Sequence, residues 1–158
     1  MKTLVADIGG TNSRLAVAIT SKKDRAIILE NIQKFKNSDF NNFEEVIKKY
    51  LSSSNDNLIN RMCIAAAGII SEDTVEMSNL NWKITVPSLQ KTSNIKSVLI
   101  INDLQAQGYA LDFIKPKDLE KLIEGNYAAA HIDTKLVCGM GTGFNVAIAY
   151  QTAFGTFV

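Results

Sequence analysis

Short apolar stretches separated by polar turns dominate the first half of the chain. They predict strands over residues 3–8, 14–19, 27–35 and 61–67. The first two strands flank the turn GGTN and form a predicted hairpin, because glycines fall where the chain must reverse. The chain therefore begins with antiparallel β structure.

The segment between the third and fourth strands changes to helical periodicity. Its apolar residues recur at spacings of three and four and form one stripe: Phe43, Val46, Ile47, Tyr50 and Leu51. Asn41 is the predicted N-cap, with Glu44 three residues later. A surface loop is predicted over residues 52–57, where the polar run SSSNDN follows the stripe.

The second half of the chain alternates helices and strands. Pro87 is placed to open a short helix, and Pro116 a second helical stretch. The run SVLIIND at 97–103 predicts a buried parallel strand that passes into a helix beginning at Asp103. Near the end, KLVCGMGTGFNVAIAY predicts a strand, a glycine turn and a strand, which resembles the first hairpin. This order of elements is typical of an α/β fold.

Charge and composition exclude several classes of function. The chain has 17 basic and 16 acidic residues, so no basic surface indicates binding to nucleic acid or to an anionic membrane. Its apolar runs are too short to span a bilayer, and its start does not resemble a signal peptide. Cys63 and Cys138 lie in apolar runs without metal-binding spacing, which predicts buried free thiols in a reducing, cytoplasmic compartment.

The turn DIGGTN has two interpretations. Glycines let backbone N–H groups approach a phosphate, a Thr hydroxyl adds a donor, and Asp7 could hold water or Mg²⁺ beside it. Alternatively, the glycines only supply the positive φ of a β-hairpin. The phosphate-binding patterns GxxxxGK[ST] and strand–GxGxxG–helix do not occur, so both interpretations stay open.

Asn102 and Asp103 stand where a buried strand meets a helix. Ligands of open α/β sheets bind beyond the carboxyl ends of strands, so Asp103 could accept a proton from a substrate hydroxyl that Asn102 orients. The alternative is that Asp103 only caps the helix. Among other candidates, Trp82 is predicted to pack in the core and His131 to face solvent. Arg14 could reach a phosphate, although a strand-edge arginine that faces solvent is the commoner case.

Taken together and in order, four segments resemble those of bacterial-type glucokinases: DIGGTNSRLAV, AGII followed by MSNLNWKI, INDLQAQGYAL, and GMGTGFNVA. The resemblance runs from Leu4 to about Tyr150. These kinases belong to the superfamily of sugar kinases, heat-shock protein 70 and actin, so it implies an actin-like ATPase (ribonuclease-H-like) α/β fold with a mixed sheet and flanking helices. It further implies a small domain over residues 1–112 and the beginning of a larger, similar domain over 113–158, with the two hairpins as a duplicated unit.

The resemblance also implies a reaction and a set of residues. The reaction is transfer of the γ-phosphoryl group of ATP, with Mg²⁺, to the 6-hydroxyl of glucose. Asn102 and Asp103 match the sugar-binding pair, with Asp103 as catalytic base, and Asp7 would hold hydrated Mg²⁺. Two phosphate loops match in position, the first at Asp7, Gly9, Gly10, Thr11 and Asn12 and the second at Gly141, Thr142 and Gly143.

The chain departs from the family pattern at three positions and in length. Ile69 replaces the proline of AGPI, and Met140 and Asn145 replace a proline and a glycine of the second loop. The family's Glu and His sugar ligands and its adenosine motif would lie beyond Val158. We therefore expect an N-terminal portion that is nearly inactive alone, from a protein that is a homodimer at full length. Two alternatives remain, a kinase for another hexose or N-acetylhexosamine and a non-catalytic sugar-sensing protein of the same fold.

Overall fold

The computed structural model describes residues 1–21, 27–54, 58–124, 134–140, 144–152 and 155–158. They divide into two compact units, Met1–Asp103 and Leu104–Val158. The domain boundary expected after residue 112 stays a prediction about the whole protein. Within the described ranges, no helix has the length and apolar character needed to cross a membrane.

The first unit is built around a five-stranded mixed sheet. Its elements are β1 (Lys2–Ile8), β2 (Asn12–Thr20), β3 (Ile27–Lys36), α1 (Phe43–Ser54), β4 (Arg61–Ala66), β5 (Gly68–Ser71), β6 (Thr74–Met77), β7 (Lys83–Thr85), α2 (Val86–Ser93) and β8 (Ser97–Asn102). The sheet has the order β3-β2-β1-β4-β8. The first three strands are antiparallel, whereas β1, β4 and β8 are parallel. Strands β5, β6 and β7 form a separate antiparallel sheet.

Helix α1 follows the predicted apolar stripe, but its ends differ from the prediction. The Asn42 side chain, not that of Asn41, accepts the backbone N–H of Glu45 at 3.0 Å. The Glu45 carboxylate in turn accepts the backbone N–H of Asn41 at 2.9 Å. The helix continues to Ser54, so the loop predicted from residue 52 is wrong for 52–54, and residues 55–57 lie outside the described ranges.

Helix α2 begins as its proline predicted. Thr85 is the N-cap, and its side chain accepts the backbone N–H of Ser88 at 3.2 Å. Pro87 occupies the first turn, where no intrahelical N–H is needed. The Ser88 hydroxyl also donates to the Glu44 carboxylate of α1, which connects the two helices.

The core of the first unit combines residues of the sheet with residues of both helices. Fully buried side chains come from β1, β2, β4, β7, α1 and α2: Leu4, Ile8, Leu15, Ile64, Ile84, Phe43, Tyr50 and Leu89. Trp82 is buried and lies 6.3 Å from Phe43, measured between ring centroids. The predicted packing role of Trp82 is therefore confirmed.

The two cysteines lie in different environments. Cys63 in β4 is partly buried, and this desolvation raises the pKa of its thiol. Cys138 is exposed, so the expectation of two buried thiols is wrong at that position. Cys138 lies on the strand Thr134–Met140, in which only Val137 is buried. An apolar run in the sequence does not show which of its side chains are covered.

The second unit contains a three-stranded antiparallel sheet. Helix α3 (Asp103–Ala110) starts at the predicted residue and leads from the first unit into the second. The sheet has the order β11-β10-β9, with β9 (Thr134–Met140), β10 (Phe144–Thr152) and β11 (Gly155–Phe157). The antiparallel pairing of β9 with β10 confirms the two strands of the second predicted hairpin, whose glycine turn lies outside the described residues. The stretch opened by Pro116 is a 3-10 helix, Pro116–Asp118, and His131 lies outside the described residues.

Candidate functional site

The carboxyl ends of β1, β4 and β8 lie at one edge of the sheet. Ile8 pairs with Ala66, and Ala66 pairs with Asn102, so the last residues of the three strands stand in one row. Because neighbouring strands are about 4.8 Å apart, the backbones of Ile8 and Asn102 are about 10 Å apart. The structure thus places the loop after β1 and the pair Asn102–Asp103 at the same edge, as ligand binding to an open α/β sheet requires.

The loop after β1 spans residues 9–12 and connects to β2. Its backbone closes through a hydrogen bond from Gly9 N to Asn12 O at 3.0 Å. Neither Gly9 nor Gly10 has positive φ, so the hairpin interpretation, in which glycines supply that conformation, does not explain them. A Cβ at Gly10 would lie 3.1 Å from the Cβ of Asn79, whereas one at Gly9 would meet only an ordinary contact.

Asn37 holds this loop from inside the protein. It is only 2% exposed, and its Nδ2 donates to the carbonyl oxygen of Gly9 at 2.8 Å. Its Oδ1 accepts the hydroxyl of buried Ser13 at 2.7 Å, and its backbone N–H donates to Thr11 O at 2.9 Å. Sequence reasoning missed Asn37 and Ser13, because no motif connects residues that meet only through the pairing of β2 with β3.

Asp7 presents its carboxylate beside the loop. It lies directly across from Arg14 in the β1–β2 pair, and Arg14 Nη1 is 3.5 Å from Asp7 Oδ2. Both side chains are exposed, as predicted for Arg14. Among the described residues, no group of three or more Asp, Glu, His or Cys side chains could hold a metal ion. A single carboxylate fits Mg²⁺ that is bound mainly by phosphate oxygens and water.

Asn102 and Asp103 occupy the other end of the row. Asn102 Nδ2 donates to the carbonyl oxygen of Gly68 at 3.3 Å, which orients its amide. Asp103 is the first residue of α3 and is partly exposed. This position is compatible with a capping role and with contact to a ligand beyond the strand end. Gly141, Thr142 and Gly143, the expected second phosphate loop, lie outside the described residues.

Comparisons with known proteins give a consistent result. The family model for glucokinase matches residues 4–158. The glucokinase of Campylobacter jejuni subsp. doylei is 33% identical over 155 residues, which are 98% of this chain and 45% of that protein. The crystal structure of a glucokinase from an Antarctic psychrotroph, 29% identical, superposes with a TM-score of 0.82 over 99% of this chain and 48% of that one.

A more distant structure shares the fold. It is a ROK family glucokinase from Streptomyces griseus in complex with glucose and AMPPNP, 18% identical, with a TM-score of 0.65 over 94% of this chain and 44% of that one. The predicted actin-like α/β fold with a mixed sheet and flanking helices is confirmed. The chain spans under half the length of the curated relatives it matches, and it corresponds to their N-terminal portion.

Proposed function

Since the chain belongs to the glucokinase family, we propose that the protein that carries it transfers the γ-phosphoryl group of ATP to the 6-hydroxyl of glucose. The observation that carries this proposal is the row formed by the ends of β1, β4 and β8. It puts a glycine loop suited to phosphate and an Asn–Asp pair suited to a hydroxyl about 10 Å apart across two strand spacings. A sugar hydroxyl and the phosphoryl group that it attacks need this kind of proximity.

Asp103 and Asn102 act on the sugar. Asp103 accepts the proton of the attacking hydroxyl, and Asn102 orients that hydroxyl while the Gly68 carbonyl holds its amide. Phosphoryl transfer depends mainly on positioning and charge neutralisation, so a carboxylate at a helix start suffices as the base.

The loop after β1 acts on the nucleotide. Gly9, Gly10, Thr11 and Asn12 contact the phosphates, and Gly141, Thr142 and Gly143 form the second phosphate loop. Gly9 has no positive φ, and a Cβ there would meet only an ordinary contact, so the fold itself does not require glycine at this position. This supports close approach of a ligand to the Gly9 backbone. Asp7 binds hydrated Mg²⁺, which neutralises phosphate charge when bound. The bound AMPPNP and glucose of the Streptomyces griseus neighbour support ATP and a hexose as substrates.

We place the protein in the cytoplasm as a homodimer without nucleic-acid or membrane partners. The balanced charge supports the absence of polyanionic partners, and the two free cysteines are typical of a reducing compartment.

The substitution Asp103→Asn tests the proposal in the complete gene product that contains residues 1–158. A coupled assay of ADP release should show a kcat lower by about 10³-fold, because the base is lost. Glucose affinity should change by only a few-fold, since the amide keeps the shape of the side chain and one oxygen that can accept a hydrogen bond from the sugar hydroxyl.

Asp118→Asn is the matched control, because Asp118 is an exposed acid in a short 3-10 helix of the second unit. A wild-type rate for the Asp103→Asn variant would remove Asp103 from the reaction. A panel of mannose and N-acetylhexosamines, assayed with the wild-type protein, would reveal a different sugar specificity. Glucose binding without any turnover or Mg·ATP binding would favour the sugar-sensing alternative.

A further inference from the structure

We propose that Asn37 is a positioning residue that holds the loop of residues 9–12 in its phosphate-binding shape. This inference rests on the proposed function, because it deepens the role of the same loop. Asn37 does not touch a ligand in this arrangement. It is 2% exposed and acts through the backbone of the loop.

Three hydrogen bonds join Asn37 to the hairpin. Its backbone N–H bonds Thr11 O at 2.9 Å, and its side-chain Nδ2 bonds Gly9 O at 2.8 Å. Ser13 Oγ donates to its Oδ1 at 2.7 Å. The carbonyl groups of Gly9 and Thr11 thus both bond Asn37, a buried residue that directly follows β3.

The direction of the Gly9 carbonyl determines the direction of the next amide. In a trans peptide the C=O and the following N–H point in opposite directions. Because Gly9 O points to buried Asn37, the N–H of Gly10 points away from the protein interior. Within the described part of the chain, this N–H has no hydrogen-bond acceptor, so it is available to an anion.

The Gly9 carbonyl determines which way the Asn37 amide faces, and Ser13 satisfies the other end. An amide has one accepting and one donating end, and the two ends occupy similar space. Gly9 O can only accept, so it takes the donating Nδ2, and Oδ1 is left to accept the hydroxyl of fully buried Ser13. The pair forms a polar unit in which each buried group is satisfied.

The decisive variant is Asn37→Asp in the complete gene product. It keeps the shape and the acceptor for Ser13 but replaces the donor to Gly9 with an oxygen, which repels that carbonyl. We expect the KM for ATP to rise about tenfold or more, while the KM for glucose stays within about twofold.

A second measurement does not depend on kinase activity. Amide hydrogen exchange at residues 9–12, without nucleotide, should accelerate about tenfold in the Asn37→Asp variant, because the carbonyl that anchors the loop is released. Tyr50→Phe is the matched control. It removes a 3.0 Å hydrogen bond from the buried Tyr50 side chain to the Asn31 carbonyl and leaves the loop untouched. It should change neither the exchange of residues 9–12 nor the KM for ATP.

The outcomes separate this inference from the proposed function. Unchanged exchange at residues 9–12 overturns the role of Asn37, whatever the enzyme does. Accelerated exchange with an unchanged KM for ATP also overturns it. If the wild-type protein phosphorylates no hexose, the proposed function fails, and the exchange result still decides whether Asn37 holds the loop.

Discussion

Gly68 is the first residue of β5, and its carbonyl oxygen receives the Asn102 amide. A Cβ at this position would collide with the carbonyl oxygen of Glu76 and lie 2.8 Å from Cγ2 of Val75. Glycine is therefore required here by space rather than by positive φ, which Gly68 does not have. At Gly10 the space is tight rather than closed, since a Cβ there would lie 3.1 Å from the Cβ of Asn79. Neither constraint follows from the local sequence, since both neighbours belong to other segments.

We expect Gly68→Ala to destabilise the protein by about 1–3 kcal/mol, because the β5–β6 pairing must open to admit the methyl group. The shifted carbonyl would also release Asn102, so the KM for glucose should rise more than the KM for ATP. Thermal unfolding and steady-state kinetics measure the two effects. Ser71→Ala, at the exposed far end of β5, is the control. A melting temperature and a glucose KM equal to those of wild type would show that the strand pair yields without affecting the site.

At the scale of elements, the sequence pattern predicted helix α1 correctly, but its N-cap residue is known only from the structure. The apolar stripe correctly predicted the helix, because a 3.6-residue period needs no knowledge of the partner surface. The capping residue was misplaced by one position, since Asn41 and Asn42 carry the same side chain. In the structure, Asn42 caps the helix and Glu45 bonds back to Asn41, which completes a reciprocal cap.

This cap makes α1 sensitive to acid. The backbone N–H of Asn41, and then its side-chain amide, lower the pKa of Glu45 below the ordinary value of 4.5. The ionised Glu45 side chain therefore contributes fully to the free energy of unfolding above pH 4.5, its ordinary pKa. This contribution is lost as the pH falls through the lowered pKa of the folded protein. We expect Glu45→Gln to lower the melting temperature at pH 7 and to approach wild type in strong acid. Glu72→Gln in the β5–β6 turn is the control. If the melting temperatures of Glu45→Gln and wild type differed by the same amount at every pH, the charge of Glu45 would have no part in the cap.

For the whole molecule, the order of strands matters more than any single element. Residues 8, 66 and 102 meet in one row only because β4 and β8 join β1 in parallel. The second unit carries the second hairpin, and several of its large apolar side chains are exposed, among them Leu136, Met140 and Phe144. The relatives that this chain matches are more than twice as long.

We therefore expect residues 1–158, purified alone, to phosphorylate glucose at least about 10³-fold more slowly than a full-length relative such as the Campylobacter jejuni enzyme, since phosphoryl transfer needs every positioning group together. The coupled assay with both proteins under the same conditions measures this ratio. The Asp103→Asn variant of the short chain supplies the background. Turnover within tenfold of the relative would show that the first unit and the second hairpin suffice for catalysis.

The sequence by itself determined the five strands of the main sheet, the helices and the family, because these depend on periodicity, turn chemistry and ordered motifs within short segments. It did not predict the short strands β5, β6, β7 and β11. It also located Asp7, the glycine loop and the pair Asn102–Asp103, whose catalytic roles remain proposals. Tertiary structure decided which segments share an edge of the sheet, why Gly68 has no room for a side chain, and that buried Asn37 bonds the loop. The physical reason is that each of these facts depends on contacts between residues far apart in the chain, which no local pattern encodes.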